Sequence, residues 1–175
     1  MTRFPLLISL AAALLATTAG AAEPSVELRA YPAGAIVSAG LHWPLDARSE
    51  WGASLLYNRA ERGDAGKHED ESGDGFGLGV ELRRFLGAAR SGWFYGARAE
   101  LFQLDIDWRD PGTSGRSEIT VLQPTARLGY RLAPLSASLS LELAASLGAE
   151  INLETDGEEV GEGVIGLVGV ALRFQ

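Results

Sequence analysis

Few side chains in this sequence are of the types that catalysis requires. The 175 residues include two histidines, His42 and His68, and no cysteine, which excludes thiol catalysis and thiolate metal sites. The sequence has no G-x-S-x-G nucleophile motif and no histidine after His68. His42 falls on the polar face of an early predicted strand, where we expect it to hydrogen-bond an interior carboxylate. We therefore predict that the protein is not an enzyme.

Acidic residues form the strongest local charge clusters. The net charge is −3 over residues 59–74, −2 over 105–118 and −5 over 154–162, against −8 for the whole chain. These segments are either solvated loops or a surface that attracts a divalent cation or a basic partner. The acids lack EF-hand spacing, so we expect at most a weakly bound divalent cation and no other cofactor. The candidate metal ligands are Asp64, Glu69, Asp70, Glu71, Asp156, Glu158 and Glu159.

Composition limits the class of protein. The length of 175 residues allows one domain, and a hydrophobic share of 46% is too high for a disordered chain. A net charge of −8 argues against nucleic acid as a partner. Lys67 is the single lysine among 15 basic residues, so the positive charge is carried almost entirely by arginine.

The first 22 residues have the pattern of a secretory signal peptide. Arg3 provides a positive start, an apolar run extends from Leu6 to Ala16, and Ala19-Gly20-Ala21 gives the small residues of a cleavage site. The apolar run is short for a membrane-spanning helix, which needs about 20 residues. We therefore predict a signal peptide at 1–22, cleaved after Ala21 or Ala22, and one domain at 23–175.

The remaining chain alternates between apolar and polar residues with period two, which indicates β-strands. The longest window, 137–153, keeps this alternation without interruption. The alternation falters near Gln103 and near Pro124, and at Pro124 we expect a β-bulge or a strand end because proline cannot donate a ladder hydrogen bond. About eight windows show the pattern: 26–30, 35–43, 51–58, 76–83, 93–101, 126–132, 137–153 and 168–174.

Short and long connections follow one another in rotation between these windows, as in an up-and-down meander through a membrane. The short connections are 45–50, 86–92 and 132–137. The longer and more polar connections are 63–75, 110–117 and 155–163. Parity then requires a first strand at 26–30, a tight turn at 31–34 and both mature termini at the short-turn end. The predicted fold class is all-β: a single antiparallel up-and-down transmembrane β-barrel of about eight strands.

Aromatic and charged residues indicate which face of this barrel points outward. The apolar face carries aromatic residues near one end of the barrel, as in the girdles that meet lipid headgroups. They are Trp43, Trp51, Trp93, Tyr95, Tyr130 and Phe174. The polar face carries five glutamates and six arginines, which would fill an interior only wide enough for side chains. They are Glu27, Arg29, Glu81, Arg83, Arg98, Glu100, Arg127, Arg131, Glu142, Glu150 and Arg173.

Over residues 23–175 these features together resemble the small outer-membrane β-barrels of the OmpA/OmpX type. The resemblance implies export to the outer membrane of a Gram-negative bacterium, insertion by the barrel-insertion machinery, contact with outer-membrane lipid and lipopolysaccharide, and a monomer. Members of that group end in an aromatic residue, whereas here Phe174 is penultimate and Gln175 is last. Outer-membrane lipid A deacylases have a similar size and strand count, but they use a late histidine that this chain lacks.

We therefore expect a non-enzymatic barrel with a structural or cell-surface interaction role, a plugged polar interior and acidic external loops. Two alternatives stay open: a soluble periplasmic barrel that binds a small apolar ligand with its apolar face inward, and a lipid-modifying outer-membrane enzyme. For the interior, we expect Glu142 to pair with Arg127 or Arg131 on the neighbouring strand.

Overall fold

The computed structural model describes residues 22–63, 66–87, 90–132 and 138–174. Residues 1–21 of the predicted signal peptide, with the Ala21 cleavage position, lie outside this part of the chain, as does Asp64 among the candidate metal ligands. Within the described residues, no helix has the length and apolar character needed to cross a membrane.

Eight antiparallel strands close into one barrel, in which each strand pairs with the next along the chain and β8 pairs with β1. This arrangement confirms the predicted all-β, up-and-down barrel, including the first strand and the tight turn that follows it. The strands are β1 Glu23–Tyr31, β2 Gly34–Pro44, β3 Ser49–Glu61, β4 Asp70–Phe85, β5 Gly92–Asp110, β6 Thr113–Arg131, β7 Leu139–Asp156 and β8 Gly163–Phe174.

The barrel wall is much taller on one side than on the other. Strands β1 and β2 have 9 and 11 residues, whereas β5 and β6 have 19 each. The first strand begins and the last strand ends at what we call the lower end, where the short connections also lie. The extra length of β4 to β7 therefore stands at the upper end.

The β5–β6 connection differs from its prediction. The segment 110–117 was expected to be a long loop, but β6 already begins at Thr113, and Pro111-Gly112 alone form the turn. Gly112 has a φ of +86°, a conformation that costs glycine little and other residues more. Alternating polar and small residues extend the hairpin instead of ending it.

The breaks in sequence periodicity near Gln103 and Pro124 do not coincide with strand ends. Strand β5 continues through Gln103 and β6 continues through Pro124, so the expected strand end at Pro124 is wrong, although the pairing of β6 with β7 omits Gln123 and Pro124. The one register shift between β6 and β7 lies at Thr120/Val121, several residues away. At Gln103 the strand continues with the same alternation. Below this point the inward residues of β5 are charged, and above it they are apolar.

Candidate functional site: the barrel interior and its upper rim

Glu50 is the central carboxylate of the lower interior. It lies at the end of the predicted connection 45–50. Glu50 is fully buried and lies on the inward face of β3. It accepts hydrogen bonds from Arg131 Nη2 at 2.9 Å and Arg173 Nη2 at 2.8 Å, and Arg83 Nε also donates to it. Three arginines on three different strands thus converge on one carboxylate, which ties β3, β4, β6 and β8 together across the barrel.

Glu142 is the second carboxylate of this lower layer. Arg83 Nη1 donates to its Oε2 at 2.7 Å and Arg131 Nε donates to its Oε1 at 2.5 Å. Arg173 Nε lies 3.6 Å from Oε1. The predicted pairing with Arg131 is therefore present. The alternative pairing with Arg127 was wrong, because Arg127 binds a different pair of carboxylates one layer higher.

The middle layer pairs two arginines with two glutamates. Arg98 Nη2 donates to Glu27 at 2.8 Å and Arg127 Nη1 donates to Glu81 at 2.8 Å, and each arginine also binds the other glutamate. All four side chains are buried. Such a closed set of charge-assisted hydrogen bonds is what buried ions require, because an unpaired buried charge is strongly destabilising.

A bidentate ion pair forms the top layer of the charged interior. Arg29 donates through Nη1 and Nη2 to the two carboxylate oxygens of Glu100, both at 2.7 Å. The planar guanidinium fork matches the carboxylate geometry, which lysine could not do. The strong preference for arginine in this sequence is consistent with an interior built from such forks.

Two phenylalanines lie among the charges of the lower interior. Phe85 and Phe94 are buried on β4 and β5. The guanidinium of Arg131 lies 4.6 Å from the Phe85 ring centroid, and that of Arg83 lies 5.1 Å from the Phe94 ring centroid. These cation–π contacts place each guanidinium against an aromatic ring in addition to its carboxylate partners.

Above Glu100 the interior becomes apolar. Strand β5 points Phe102, Leu104 and Ile106 inward, in the same alternation that places Arg98 and Glu100 inward below them. The full cluster consists of Tyr31, Ile36, Leu56, Ala60, Phe102, Leu104, Ile106, Ile119, Val121, Val160, Ile165 and Leu167. Val160 comes from the β7–β8 loop, so that loop folds over the top of the barrel and covers the cluster.

Glu71 holds the connections at the upper rim together. Its buried carboxylate accepts hydrogen bonds from Arg62 Nη1 at 3.1 Å, the Lys67 backbone N–H at 2.7 Å and the Gly161 backbone N–H at 3.0 Å. Burial alone would raise the pKa of Glu71, but the hydrogen bonds from Gly161 and Arg62 leave the pKa below its usual value. This ionised side chain joins the β3–β4 loop to the β7–β8 loop.

His68 is the second link between these connections. Its Nδ1 lies 2.7 Å from Asp110 Oδ2 at the tip of the β5–β6 hairpin, and its Nε2 lies 3.1 Å from the Glu159 carbonyl oxygen. The ring stacks on Trp108 with centroids 4.4 Å apart. Both ring nitrogens face acceptors, and the hydrogen bond to Asp110 raises the pKa of His68 above its usual value.

The candidate metal ligands among the described residues, which exclude Asp64, each have other surroundings. No group of three or more potential ligands comes together among the described residues. Glu71 is occupied by the contacts above, and Glu159 binds Lys67 Nζ at 2.7 Å. The segments 63–75 and 155–163 also proved to be partly strand, since β4 begins at Asp70 and β7 ends at Asp156. Cation binding by the acidic rim stays a prediction.

His42 binds different partners from those expected. Its Nε2 lies 3.0 Å from Ser25 Oγ and its Nδ1 lies 3.3 Å from Arg83 Nη2, so the expected carboxylate contact is wrong. A catalytic serine–histidine pair needs an acidic group on the second ring nitrogen to orient and stabilise the imidazolium. Here an arginine occupies that place, and both Ser25 and His42 are buried in the charged interior.

The outer face carries the predicted aromatics in two different settings. Trp93, Tyr95, Tyr130 and Phe174 are 40–54% exposed. Trp43 and Trp51 occupy outward positions in paired register but are each only 8% exposed, and their rings stack with centroids 4.4 Å apart. The lower end therefore carries both open and stacked aromatic rings. Between the two ends, the outward side chains form a surface that we call the apolar belt, which includes Leu55, Leu78, Val80, Leu128, Leu147 and Val168.

Comparison with known proteins identifies the fold and leaves the activity open. No family model matches the sequence, and no curated protein matches it. The N-terminal β-barrel domain of OprF from Pseudomonas aeruginosa superposes with a TM-score of 0.52 at 18% identity, covering 87% of this chain and 96% of that one. Neisserial surface protein A gives a TM-score of 0.47 at 11% identity, covering 87% and 93%. The translocator domain of the autotransporter NalP from Neisseria meningitidis gives 0.41 at 10% identity, covering 97% and 94%.

Proposed function

We propose that this chain is a non-enzymatic outer-membrane barrel with a structural or cell-surface interaction role. The observation that carries the proposal is the combination of an exposed apolar belt with a paired, charged interior. A soluble barrel gains stability by the opposite arrangement, because apolar surface in water is unfavourable and buried charge is costly. In lipid, a closed barrel satisfies every backbone hydrogen bond and presents apolar side chains to the acyl chains.

The same observation weighs against the soluble ligand-binding alternative. That alternative requires the apolar face of the strands to point inward along their length. In the belt region the inward positions are instead charged and hydrogen-bonded to one another, as at Glu81 and Arg98. A lipid-modifying activity has no supporting constellation among the described residues, since the Ser25–His42 pair is buried and lacks an acid partner.

The proposed barrel is plugged and does not conduct ions. Eight strands enclose a space that side chains can fill, and in this interior the charged layers lie below and the apolar cluster above. The upper rim faces the outside and both mature termini face the periplasm. The partners proposed are outer-membrane lipid, lipopolysaccharide and the barrel-insertion machinery, with the protein as a monomer.

Membrane fractionation combined with heat-modifiable gel mobility tests the proposal. We expect the protein in the outer-membrane fraction, extracted only by detergent, with a faster-migrating unheated form. Planar-bilayer recordings should give no steady conductance. Recovery from the soluble periplasmic fraction, or a stable open channel at neutral pH, would contradict it.

Sidedness has its own matched test, since the native chain contains no cysteine. Glu158→Cys at the upper rim and Arg48→Cys in the β2–β3 turn both place a thiol at an exposed position. A membrane-impermeant maleimide applied to intact cells should label the Cys of the first variant and not that of the second. The reverse result would invert the proposed topology.

A further inference from the structure

The outward strand positions at the lower end carry one charge in the part of the chain that the structure describes. Around this end of the apolar belt the outward residues are aromatic or otherwise uncharged, as at Trp51, Trp93 and Tyr130, and Arg84 of β4 is the exception. Arg84 is exposed and pairs in register with Tyr95 of β5. It forms no hydrogen bond or ion pair with any described residue. An unpaired cation therefore faces the surroundings of the barrel at the level of the aromatic residues.

A cavity of about 550 Å³ lies on the outer face beside Arg84. Its wall is largely apolar, with Leu82 and Ala97 among the lining residues, and it also includes Asp46 of the β2–β3 turn. Arg83 lines the cavity as well, but its guanidinium is buried inside the barrel. One available cation and one available anion thus share the same cavity.

The turn holds the Asp46 carboxylate in place. Its Oδ1 accepts hydrogen bonds from the backbone N–H of Arg48 at 2.6 Å and from that of Ser49 at 2.7 Å. The turn is also tied to β4, because the backbone N–H of Phe85 donates to the Arg48 carbonyl oxygen at 2.7 Å. The backbone hydrogen bond from Arg48 and the nearby charge of Arg84 lower the pKa of Asp46, yet the two side chains form no ion pair. The opposite charges are therefore held near each other and remain separate.

A second cavity, of about 560 Å³, continues the first one along the outer face. The two cavities share Leu82 and Ala97, and the second is further lined by Ala99, Ala126 and Leu147. The short alanine side chains of β5 and β6 lie between larger apolar side chains, so the outer face is recessed there. The cavities together form one groove, which leads from the two charges into the apolar belt.

The charges and the groove together restrict what can bind. A phosphate alone would satisfy Arg84 but would be repelled by Asp46, and a cation alone would satisfy only Asp46. A headgroup with both a phosphate and a primary ammonium satisfies both, because phosphate oxygens accept from a guanidinium and ammonium N–H groups donate to a carboxylate. An attached acyl chain fits the apolar part of the groove.

We propose that this groove binds a zwitterionic phospholipid, whose phosphate lies at Arg84, whose primary ammonium lies at Asp46 and whose acyl chain runs over Leu82 and Ala97. The encounter with such a lipid rests on the proposed function, since the lower end then lies in the periplasmic leaflet of the membrane. The binding chemistry itself depends only on the folded barrel.

Native mass spectrometry of the purified barrel in tetraethylene glycol monooctyl ether, an uncharged detergent, tests the site. Phosphatidylethanolamine should bind about fivefold more tightly than phosphatidylglycerol with the same acyl chains, because only the former can bind Asp46. A factor of about five is the upper end of what an exposed charge contact contributes. Phosphatidylcholine, whose quaternary ammonium has no N–H, should also bind more weakly than phosphatidylethanolamine.

Two variants separate the two contacts. Asp46→Asn removes the charge but keeps an oxygen that can accept the hydrogen bonds of the turn, so it should abolish the preference for phosphatidylethanolamine without weakening phosphatidylglycerol. Arg84→Gln removes the partner of the phosphate and should weaken both lipids by about fivefold. Arg48→Gln is the matched control, because Arg48 is an exposed arginine of the same turn outside the cavity lining, and it should bind both lipids as the wild type does.

The outcomes separate this site from unspecific lipid adhering to the belt. Equal affinity of the wild type for phosphatidylethanolamine and phosphatidylglycerol, undiminished binding to the Arg84→Gln variant, or a lipid preference that persists in the Asp46→Asn variant would each overturn the proposal. Heat-modifiable mobility verifies that the variants fold. Because the titration uses purified folded barrel, a failure here leaves the fractionation result of the proposed function unaffected.

Discussion

In the lower half of this barrel charged side chains point inward and apolar ones outward, whereas in the upper half of β5 and β6 apolar side chains point inward and polar ones outward. In the lower half, Glu81 and Arg83 point inward while Val80 and Leu82 are exposed. In the upper half, Leu104 and Ile106 point inward while the outward positions of β5, such as Asp105, are exposed. Strand β5 keeps its alternation throughout, so on this strand only the choice of residue changes. Such an exchange is expected where a barrel wall passes from lipid into water.

The comparison shows that interior chemistry follows from what lies outside the wall. A wall in lipid already has its apolar side chains outside, so ions can occupy the interior if they are mutually paired. A wall in water must bury apolar side chains to be stable, and the upper half encloses an apolar cluster to which β5 and β6 contribute together with β1, β2, β3, β8 and the β7–β8 loop.

The largest effect should come from unpairing the lower interior. Glu142→Ala leaves Arg83 and Arg131 without one of their carboxylates in a buried site. Removing one partner of a buried ion pair typically costs about 3–5 kcal/mol. Urea unfolding in detergent micelles should show a loss of this order, and Glu50→Ala should show a similar one.

Glu158→Ala provides the matched control, because this side chain is exposed and only its backbone carbonyl accepts a hydrogen bond, from Ser117. We expect its unfolding midpoint to stay at the wild-type value. If the Glu142→Ala variant unfolds at the same midpoint as the control, the buried ion pairs contribute little to stability. The proposed difference between the charged lower half and the apolar upper half would then be wrong.

Truncating an apolar side chain of the upper interior should lower the free energy of unfolding by less than unpairing the lower interior does. Leu104→Ala removes a fully buried apolar side chain and leaves a cavity, which typically costs about 3 kcal/mol. Leu78→Ala truncates a leucine that is 62% exposed on the outer belt, so no cavity forms and the loss of stability should be small. The effect of Leu104→Ala should not vary with salt concentration, because the substitution removes no charge. Equal losses for the two leucines would contradict the exchange of faces.

The rim contact of His68 should respond to pH. Its pKa is raised by the hydrogen bond to Asp110, whose own pKa is lowered by the same contact. A raised pKa in the folded state means that the stabilisation is fully present below the unfolded value of about 6.5 and is lost as pH rises through the folded value. Protease cleavage within 157–162 should therefore increase from pH 6 to pH 9.

His68→Gln and Asp110→Asn should each remove this pH dependence, and a one-dimensional NMR titration of His68 should give a folded pKa above 6.5. Cleavage that is independent of pH in the wild-type protein, or a pH dependence that persists in the His68→Gln variant, would exclude His68 as the responsible group.

The sequence predicts the strand pattern and most of the charged interior, because alternation with period two places each side chain on a definite face. Glu50 is not predicted as an interior residue because 45–50 has the pattern of a short connection, although the outward position of Trp51 places Glu50 inward. The upper cluster escapes prediction for a different reason: Phe102 and Leu104 follow Leu101 out of phase, so periodicity alone does not show that apolar side chains change to the inward face there. Arg62 and Glu71 lie in or beside a connection, where periodicity gives no information on facing.

The smallest effect concerns an ion pair on the outer surface of the upper half. Arg59 Nη2 lies 2.7 Å from Glu61 Oε1, the same distance as Arg83 Nη1 from Glu142 Oε2, but its two side chains are 69% and 60% exposed. Water screens the exposed pair, and ordering two free side chains opposes it, so the coupling should be about 0.2–1 kcal/mol and should decrease with salt. A double-mutant cycle with Arg59→Ala and Glu61→Ala measures it. A coupling as large as that of the corresponding Arg83–Glu142 cycle would mean that burial does not distinguish ion pairs inside the barrel from those outside it.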